Sequence, residues 1–361
     1  MVRILIILGL LVVSTNASGQ YRDTYKDIQF TELFRRSEGL IAGDGGYSIP
    51  VKGSKVIWLF GDSYIDCFHS DTKTVPCLFQ ARNAALVMDI ENPGKQSTLK
   101  NYKGTPTYFH LGGDRKYWFW PSSGFIHGDT IYVFQSRIMS TGEPGMWGFE
   151  GVDSNYVAKI NANDLSDITY SLLPGSDGIN FGISIIRQGR FTLIFGIKSN
   201  GFGNNVYVAR IRNGDIRSRW EYYNGEGWSG NIKEISKIFD DFTSSFSVCR
   251  IRNKYVMLTT EFSVDCDQGK NIFASVSDNP YGPFTGKHSV WLVDDTLNGH
   301  SPFFYIALAH PEFNNRKEEL LVTYSINGYG KCVETCINGR MDPDVYRLKA
   351  IRIPFKILFV Q

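Results

Sequence analysis

Two aspartates set the chemical question in this sequence. Asp44 lies in the run "GDGG" and Asp62 in "FGDS", and the residues between them read as two strands joined at Lys52-Gly53. Antiparallel partners return to the same end, so such a hairpin holds one carboxyl at each of its two open ends, side by side. Two carboxyl groups brought close do not ionise together. The like charge raises one pKa and keeps that group protonated near neutral pH. One acid and one base or nucleophile are what cleavage of a glycosidic bond requires. A Gly-Asp step is also an ordinary turn whose side chain caps backbone amides, so geometry must decide.

The same topological rule gathers further candidates. Asp177 and Asp241 precede later strands of the first kind and His300 precedes the last. Arg137 ends one second strand and Glu261 another, where an acid among alternating apolar residues is unusual. Asp44, Asp62 and Glu261 form the expected catalytic set. Tyr47, Tyr64, Trp118, Trp120 and Trp147 stand near the same ends, and rings beside carboxyls suit the faces of sugars. Tyr47, Tyr64, Trp120, Arg137, Asp177, Asp241 and His300 are the expected substrate contacts. Asp177 in "GSDG" and Asp241 in "FDDF" read more simply as turn residues. His310 in "AHPEF" reads as a hydrogen-bonded structural histidine.

What must position these residues is a repeat. First strands read "YSIPVKG", "FWPSSGFIHG", "GISIIRQG", "SFSVCRIRN" and "FFYIALAHPEF"; second strands read "VIWLFGDS", "TIYVFQSR", "TLIFGIKS", "YVMLTTEF" and "LLVTYSIN". Turn residues join each pair, and a third strand follows each. Aligning the second strands puts Asp62, Ser136, Ile197, Glu261 and Ser325 in one column, separated by 74, 61, 64 and 64 residues. Weaker fourth strands fit at "ITYSLL" and "KHSVWLV", and "DIQFTEL" near the start is the candidate to complete the last unit and close a ring. Five such units with almost no helix signal predict an all-β fold, a five-bladed β-propeller closed by its two chain ends. A pair of β-sandwiches is the competing architecture, but it leaves the period unexplained. In a propeller the first strands line the channel and run the same way, so the candidate residues meet at one mouth.

Bulk properties agree. Met1-Val-Arg3, an apolar run to Val13 and "STNASGQ" read as a cleaved secretory leader over residues 1–19, since a bilayer span needs about 20 apolar residues. The rest, 20–361, is expected to be a single catalytic domain, secreted or periplasmic and monomeric, with a polysaccharide as partner. Net charge is +2 with cations scattered, which argues against a nucleic-acid stripe or a membrane-binding patch. Of six cysteines, Cys67/Cys77 and Cys332/Cys336 flank short loops and are the expected disulfides. Cys249 reads as a buried thiol, and Cys266 has no evident partner. A zinc site at Cys67, His69 and Cys77 lacks a fourth ligand.

"GDGGYSIP…WLFGDSYI", Trp120-Pro121, "NPYGPF" and "HPEF…LLVTYSIN" resemble secreted five-bladed propellers of the furanosidase type, spanning nearly the whole mature chain. Glycoside hydrolase family 43 is the well-known relative. The nearer resemblance is to the endo-D-arabinofuranases of glycoside hydrolase family 183, formerly a family of unknown function. The resemblance implies hydrolysis of arabinofuranosyl linkages, with Asp44 and Asp62 inheriting the catalytic roles and Asp177 an acid position entering the third blade. No cofactor is implied beyond a structural calcium or other ion in the channel, beside which His300 would stand. At blade four the chain reads "DDFTSSFS" without the family 43 glutamate, so that role falls to Glu261 or Asp241 or fails. Two other readings stand against this one. One is a carbohydrate-binding propeller without catalysis; the other, a sialidase-type hydrolase, would need six blades and boxes of the form "SxDxGxTW" that are missing.

Overall fold

The computed structural model describes residues 23–100, 106–110, 116–143, 148–173, 175–201, 203–241, 245–263, 265–328 and 335–360. The expected leader and Trp147 lie outside them. Five antiparallel sheets follow one another along the chain and form a five-bladed propeller. Blade 1 comprises Leu40–Pro50, Lys55–Ile65, Ala84–Asp89 and Gln96–Leu99. Blade 2 comprises Tyr117–His127, Thr130–Ser140, Phe149–Asn161 and Asp164–Leu172; blade 3 begins Asn180–Gln188, Phe191–Ser199 and Asn204–Arg212. Blade 4 comprises Phe246–Ile251, Lys254–Thr260, Asn271–Ser277 and Thr285–Leu292; blade 5 holds Phe303–His310, Glu319–Asn327 and Lys349–Pro354. The fourth strand of blade 5 is Tyr25–Lys26, paired with Ile351 and Arg352, so the two chain ends do close the ring. Both the paired sandwiches and a six-bladed sialidase ring are thereby set aside.

The expected closing strand "DIQFTEL" is mostly helix. Asp27 accepts a hydrogen bond from the Phe30 amide at 2.9 Å and caps a turn over Ile28–Glu32. A side chain that satisfies an orphan amide in this way starts a helix where β-propensity alone suggests a strand.

Alternation of apolar residues on both faces of each strand accounts for the ring. Ile57 and Leu59 face blade 2, where they meet Phe119, Ile131 and Val133; Trp58 and Phe60 face blade 5, where they meet Leu321 and Phe313. Ile194 turns to blade 2, while Leu193 and Phe195 turn to blade 4. A further cluster joins blades 4 and 5 through Leu258, Ile272, Phe304 and Tyr324. Each blade buries its faces only against neighbours, which is how 361 residues avoid one oversized core. The inner strands are also pinned to one another. Ser184 accepts from the Val248 amide at 2.9 Å, Ser247 from the Ala309 amide at 3.1 Å, and His310 bonds Ser48 at 2.6 Å and Thr323 at 2.7 Å. His310 is fully buried, and burial pushes its pKa down to about 3. It is the structural histidine expected.

Candidate active site

The first hairpin is not a regular ladder. Gly43 faces Ser63 and Gly45 faces Phe60, so Asp44 alone stands opposite Gly61 and Asp62 in a bulge. Both aspartates lie inside their strands rather than beyond the ends. Gly45 and Gly46 have φ of 91° and 82°, a region that glycine enters without steric cost. A Cβ on Gly61 would come within 2.4 Å of Asp44 Oδ1. Gly61 thus leaves the space that the Asp44 carboxyl occupies.

Asp44 Oδ2 accepts hydrogen bonds from the hydroxyls of Tyr305 and Tyr346, each at 2.9 Å, and the Asp62 amide also donates to this carboxyl. Asp62 is buried; its Oδ1 accepts from Trp120 Nε1 at 3.3 Å and lies 3.6 Å from Arg82 Nη1. Arg82 is held between rings, 4.1 Å over Trp118 and 4.8 Å over Phe79.

These surroundings separate the two acids. Burial pushes the Asp44 carboxyl up to about 6, against the pull of the Tyr346 and Tyr305 hydroxyls. Burial, and next the charge of Asp44, push Asp62 to about 8, with Arg82 and Trp120 opposing. Arg82 does not reverse this: its side chain is 39% exposed, and an ion pair so screened is worth at most about 1 kcal/mol. Near neutral pH the pair therefore shares one proton. Both carboxyls are raised, and the charge of Asp44 raises Asp62 further, so Asp62 is the partner favoured to hold it.

Arg82 and Tyr346 arrive on two long loops that follow the second strands of blades 1 and 5. Val75–Pro76 pairs with Arg340–Met341, Arg340 donates to Thr74 at 3.0 and 2.8 Å, and a disulfide joins Cys77 to Cys336. The loops thus form one tied cap beside the two aspartates. This corrects the expected Cys67–Cys77 and Cys332–Cys336 bridges: short sequence spacing proved a poor guide, because the fold brings together cysteines 259 residues apart. Cys67 and Cys249 are free thiols, and Cys266 is disulfide-bonded. With Cys77 in a disulfide, the zinc alternative at Cys67, His69 and Cys77 falls.

The other candidates fare differently. Trp120 joins the site through Asp62, and its ring packs edge-on against Phe149 at 4.7 Å. Tyr47 is half-buried in the blade 1–blade 2 cluster, its hydroxyl pKa raised by burial and by the nearby Asp44 charge. Arg137 lies 4.0 Å over the Tyr117 ring with its buried Nε unpartnered. Tyr64 is a supporting residue: it is buried, donates to Cys77 O at 3.1 Å and packs edge-on against Tyr346 at 5.8 Å.

Glu261, expected in the catalytic set, is engaged by its own loop. One carboxylate oxygen accepts from the Lys270 amide, the Asn271 amide and the Asn271 side chain at 2.7, 3.0 and 2.7 Å, stapling the loop between two strands. Burial pushes its pKa up, but those donors more than reverse this and leave it low, unsuited to giving a proton. Asp177 is a turn residue with φ of 54°, paired to Lys233 and Lys198, and the Lys233 bond leads in depressing its pKa. Asp241 ends a short strand, Phe239–Asp241, opposite Asn204; its side chain lies outside the described residues. His300 Nδ1 is bonded to Asp267 Oδ2 at 2.7 Å on an exposed loop. Among the described residues no three His, Cys, Asp or Glu side chains converge on a common point.

Sequence reading missed Tyr305, Tyr346 and Arg82. A signal existed for Tyr305, which faces Ser325 as Trp120 faces Ser136. Both of these first-strand partners bond an aspartate of the pair, Trp120 to Asp62 and Tyr305 to Asp44. Tyr346 and Arg82 sit on irregular loops that carry no periodicity.

The chain matches, over residues 27–354, the family described as Domain of unknown function (DUF5005), and it belongs to that family. No curated protein matches it in sequence. Among solved structures it is similar to a Bacteroides ovatus protein named only by inference as a hydrolase, at 20% identity, covering 94% of this chain and 92% of that one with a TM-score of 0.73. It is also similar to a xylan β-1,4-xylosidase from Bacillus halodurans, at 11% identity, over 87% of this chain and 52% of that one, TM-score 0.51. An α-L-arabinofuranosidase from Podospora anserina shares 9% identity over 87% of this chain and 91% of that one, TM-score 0.47. At such identities the first two of these likenesses speak for the fold alone.

Proposed function

We propose that the protein is an exported glycoside hydrolase that cleaves furanosyl linkages of arabinan-type polysaccharide, with Asp62 as general acid and Asp44 as base or nucleophile. The observation that carries this is the asymmetric pair. Asp44 accepts from two tyrosine hydroxyls, while Asp62, buried beside it, accepts from Trp120 near Arg82, and the charge of Asp44 favours the protonated form of Asp62. Asp62 would protonate the departing glycosidic oxygen. Asp44 would either activate water or attack the anomeric carbon. Trp120, Tyr47 and Arg137 would meet the sugar. The sequence likeness to endo-D-arabinofuranases supports the furanosyl specificity, a fold shared with a xylosidase is compatible with it, and the disulfides support an oxidising compartment. No cofactor enters this chemistry.

Purified protein incubated with arabinans, arabinogalactan and mycobacterial-type arabinan should release oligosaccharides, and Asp44→Asn should cut release about 10²–10⁴-fold with folding intact. One observation favours a second reading, a glycan-binding propeller without turnover: the third expected acid, Glu261, is committed to its loop. Binding of the same glycans without product would establish that reading instead.

A further inference from the structure

Six arginines fall at positions 187, 190, 210, 212, 217 and 219 with one acid, Asp215, among them. The chain as a whole carries only +2, yet the fold gathers these cations at the end of blade 3 that points away from the mouth. Arg190 sits in the turn between the first two strands, and Arg212 pairs in register with Phe191. The guanidinium carbons of Arg210, Arg212 and Arg190 lie 4.0, 5.4 and 5.5 Å from the centre of the Phe191 ring. Arg210 is neutralised by Glu221 at 2.8 Å and Arg217 by Asp215 at 3.2 Å. Arg187, Arg190, Arg212 and Arg219 are exposed and have no ion-pair partner among the described residues. Arg210 also lies 4.2 Å over Trp228, whose ring packs with Tyr223 and Tyr281 at 5.6 and 5.8 Å.

Arg187, Arg190, Arg212 and Arg219, unpaired among the described residues on the rigid end of a sheet, set up a positive potential that the ion pairs at Arg210 and Arg217 leave in place. Stacked guanidiniums keep their planar forks free to take carboxylate or sulfate oxygens in pairs. We propose that this patch binds an acidic polysaccharide, one carrying carboxylate or sulfate groups, on the face opposite the mouth. That the anion is a polysaccharide rests on the function proposed above; that the patch binds anions does not. A membrane surface suits it poorly. Among the described residues the exposed large apolar side chains lie elsewhere, and the aromatic rings at the patch are half-buried beneath guanidiniums or packed on one another rather than free to enter lipid.

The test measures binding of the full chain to dextran sulfate, polygalacturonate, uncharged dextran, a duplex DNA oligonucleotide and phosphatidylglycerol vesicles, at low salt and at about 0.5 M salt. The two acidic polysaccharides should bind at low salt, and dextran should not. Their affinity should drop about tenfold or more in Arg190→Ala/Arg212→Ala and with added salt, while Arg190→Lys/Arg212→Lys keeps most of it. Circular dichroism checks that each variant is folded, and the Asp44→Asn protein should bind as the parent does. Absent binding at low salt, or affinity unchanged in the alanine variant, overturns the patch as an anion site. Tighter binding of DNA or vesicles than of either acidic glycan overturns the polysaccharide assignment. Failure to cleave any arabinan would remove the hydrolase reading and leave these binding results as they stand.

Discussion

Asp44 and Asp62 were legible because the glycines around them betray a crowded backbone, and crowding is a short-range property. Tyr305 and Tyr346 reach Asp44 from 261 and 302 residues away, and no local pattern carries such a distance. Each residue's charge state has consequences that can be measured. The proposed mechanism needs Asp44 ionised and Asp62 protonated, so it predicts a pH–rate profile that rises through about 6 and falls through about 8. Tyr346→Phe removes a donor to the ionised carboxyl, which should raise the Asp44 pKa and move the acid limb to higher pH. A raised carboxyl pKa also costs stability: the fold is favoured below the unfolded aspartate value and loses that advantage as pH climbs through the folded one. Asp62→Asn should therefore lower kcat about 10²–10⁴-fold yet raise the melting temperature relative to the parent at pH above 8.

At the scale of elements, the strands were read well and the loops were not. Alternation marks a strand from its own residues, whereas the cap beside the aspartates exists only once two distant loops meet. The same limit explains the missed Cys77–Cys336 bridge, whereas the helix cap at Asp27 is a local signal that competed with β-propensity. Because the cap carries both Arg82 and Tyr346, its tether should matter to chemistry as well as to stability. Cys77→Ser/Cys336→Ser should cost about 2–4 kcal/mol in denaturant titrations and shift the pH limbs as well. Glu261→Gln removes a loop staple instead. It should leave both limbs where they are, and a moved alkaline limb would restore Glu261 to the catalytic set.

Five interfaces, each with its own apolar cluster, make the whole ring, and the period of about 64 residues in the sequence was the trace of that arrangement. Close approach between blades depends on particular glycines. Gly182 has φ of 95°, and a Cβ there would fall 2.2 Å from Phe134. Gly182→Ala should lower unfolding free energy by about 2–4 kcal/mol, measurable by urea titration. The ring is also what turns residues scattered over the chain into one mouth with a proton-sharing pair. The most direct test of that pair is the pH dependence of product release from the best arabinan substrate, compared among the parent, Asp44→Asn and Asp62→Asn proteins. The geometry predicts a bell for the parent, loss of the alkaline limb in the residual activity of Asp62→Asn, and loss of the acid limb in that of Asp44→Asn. Unaltered rates and limbs in both variants would contradict it.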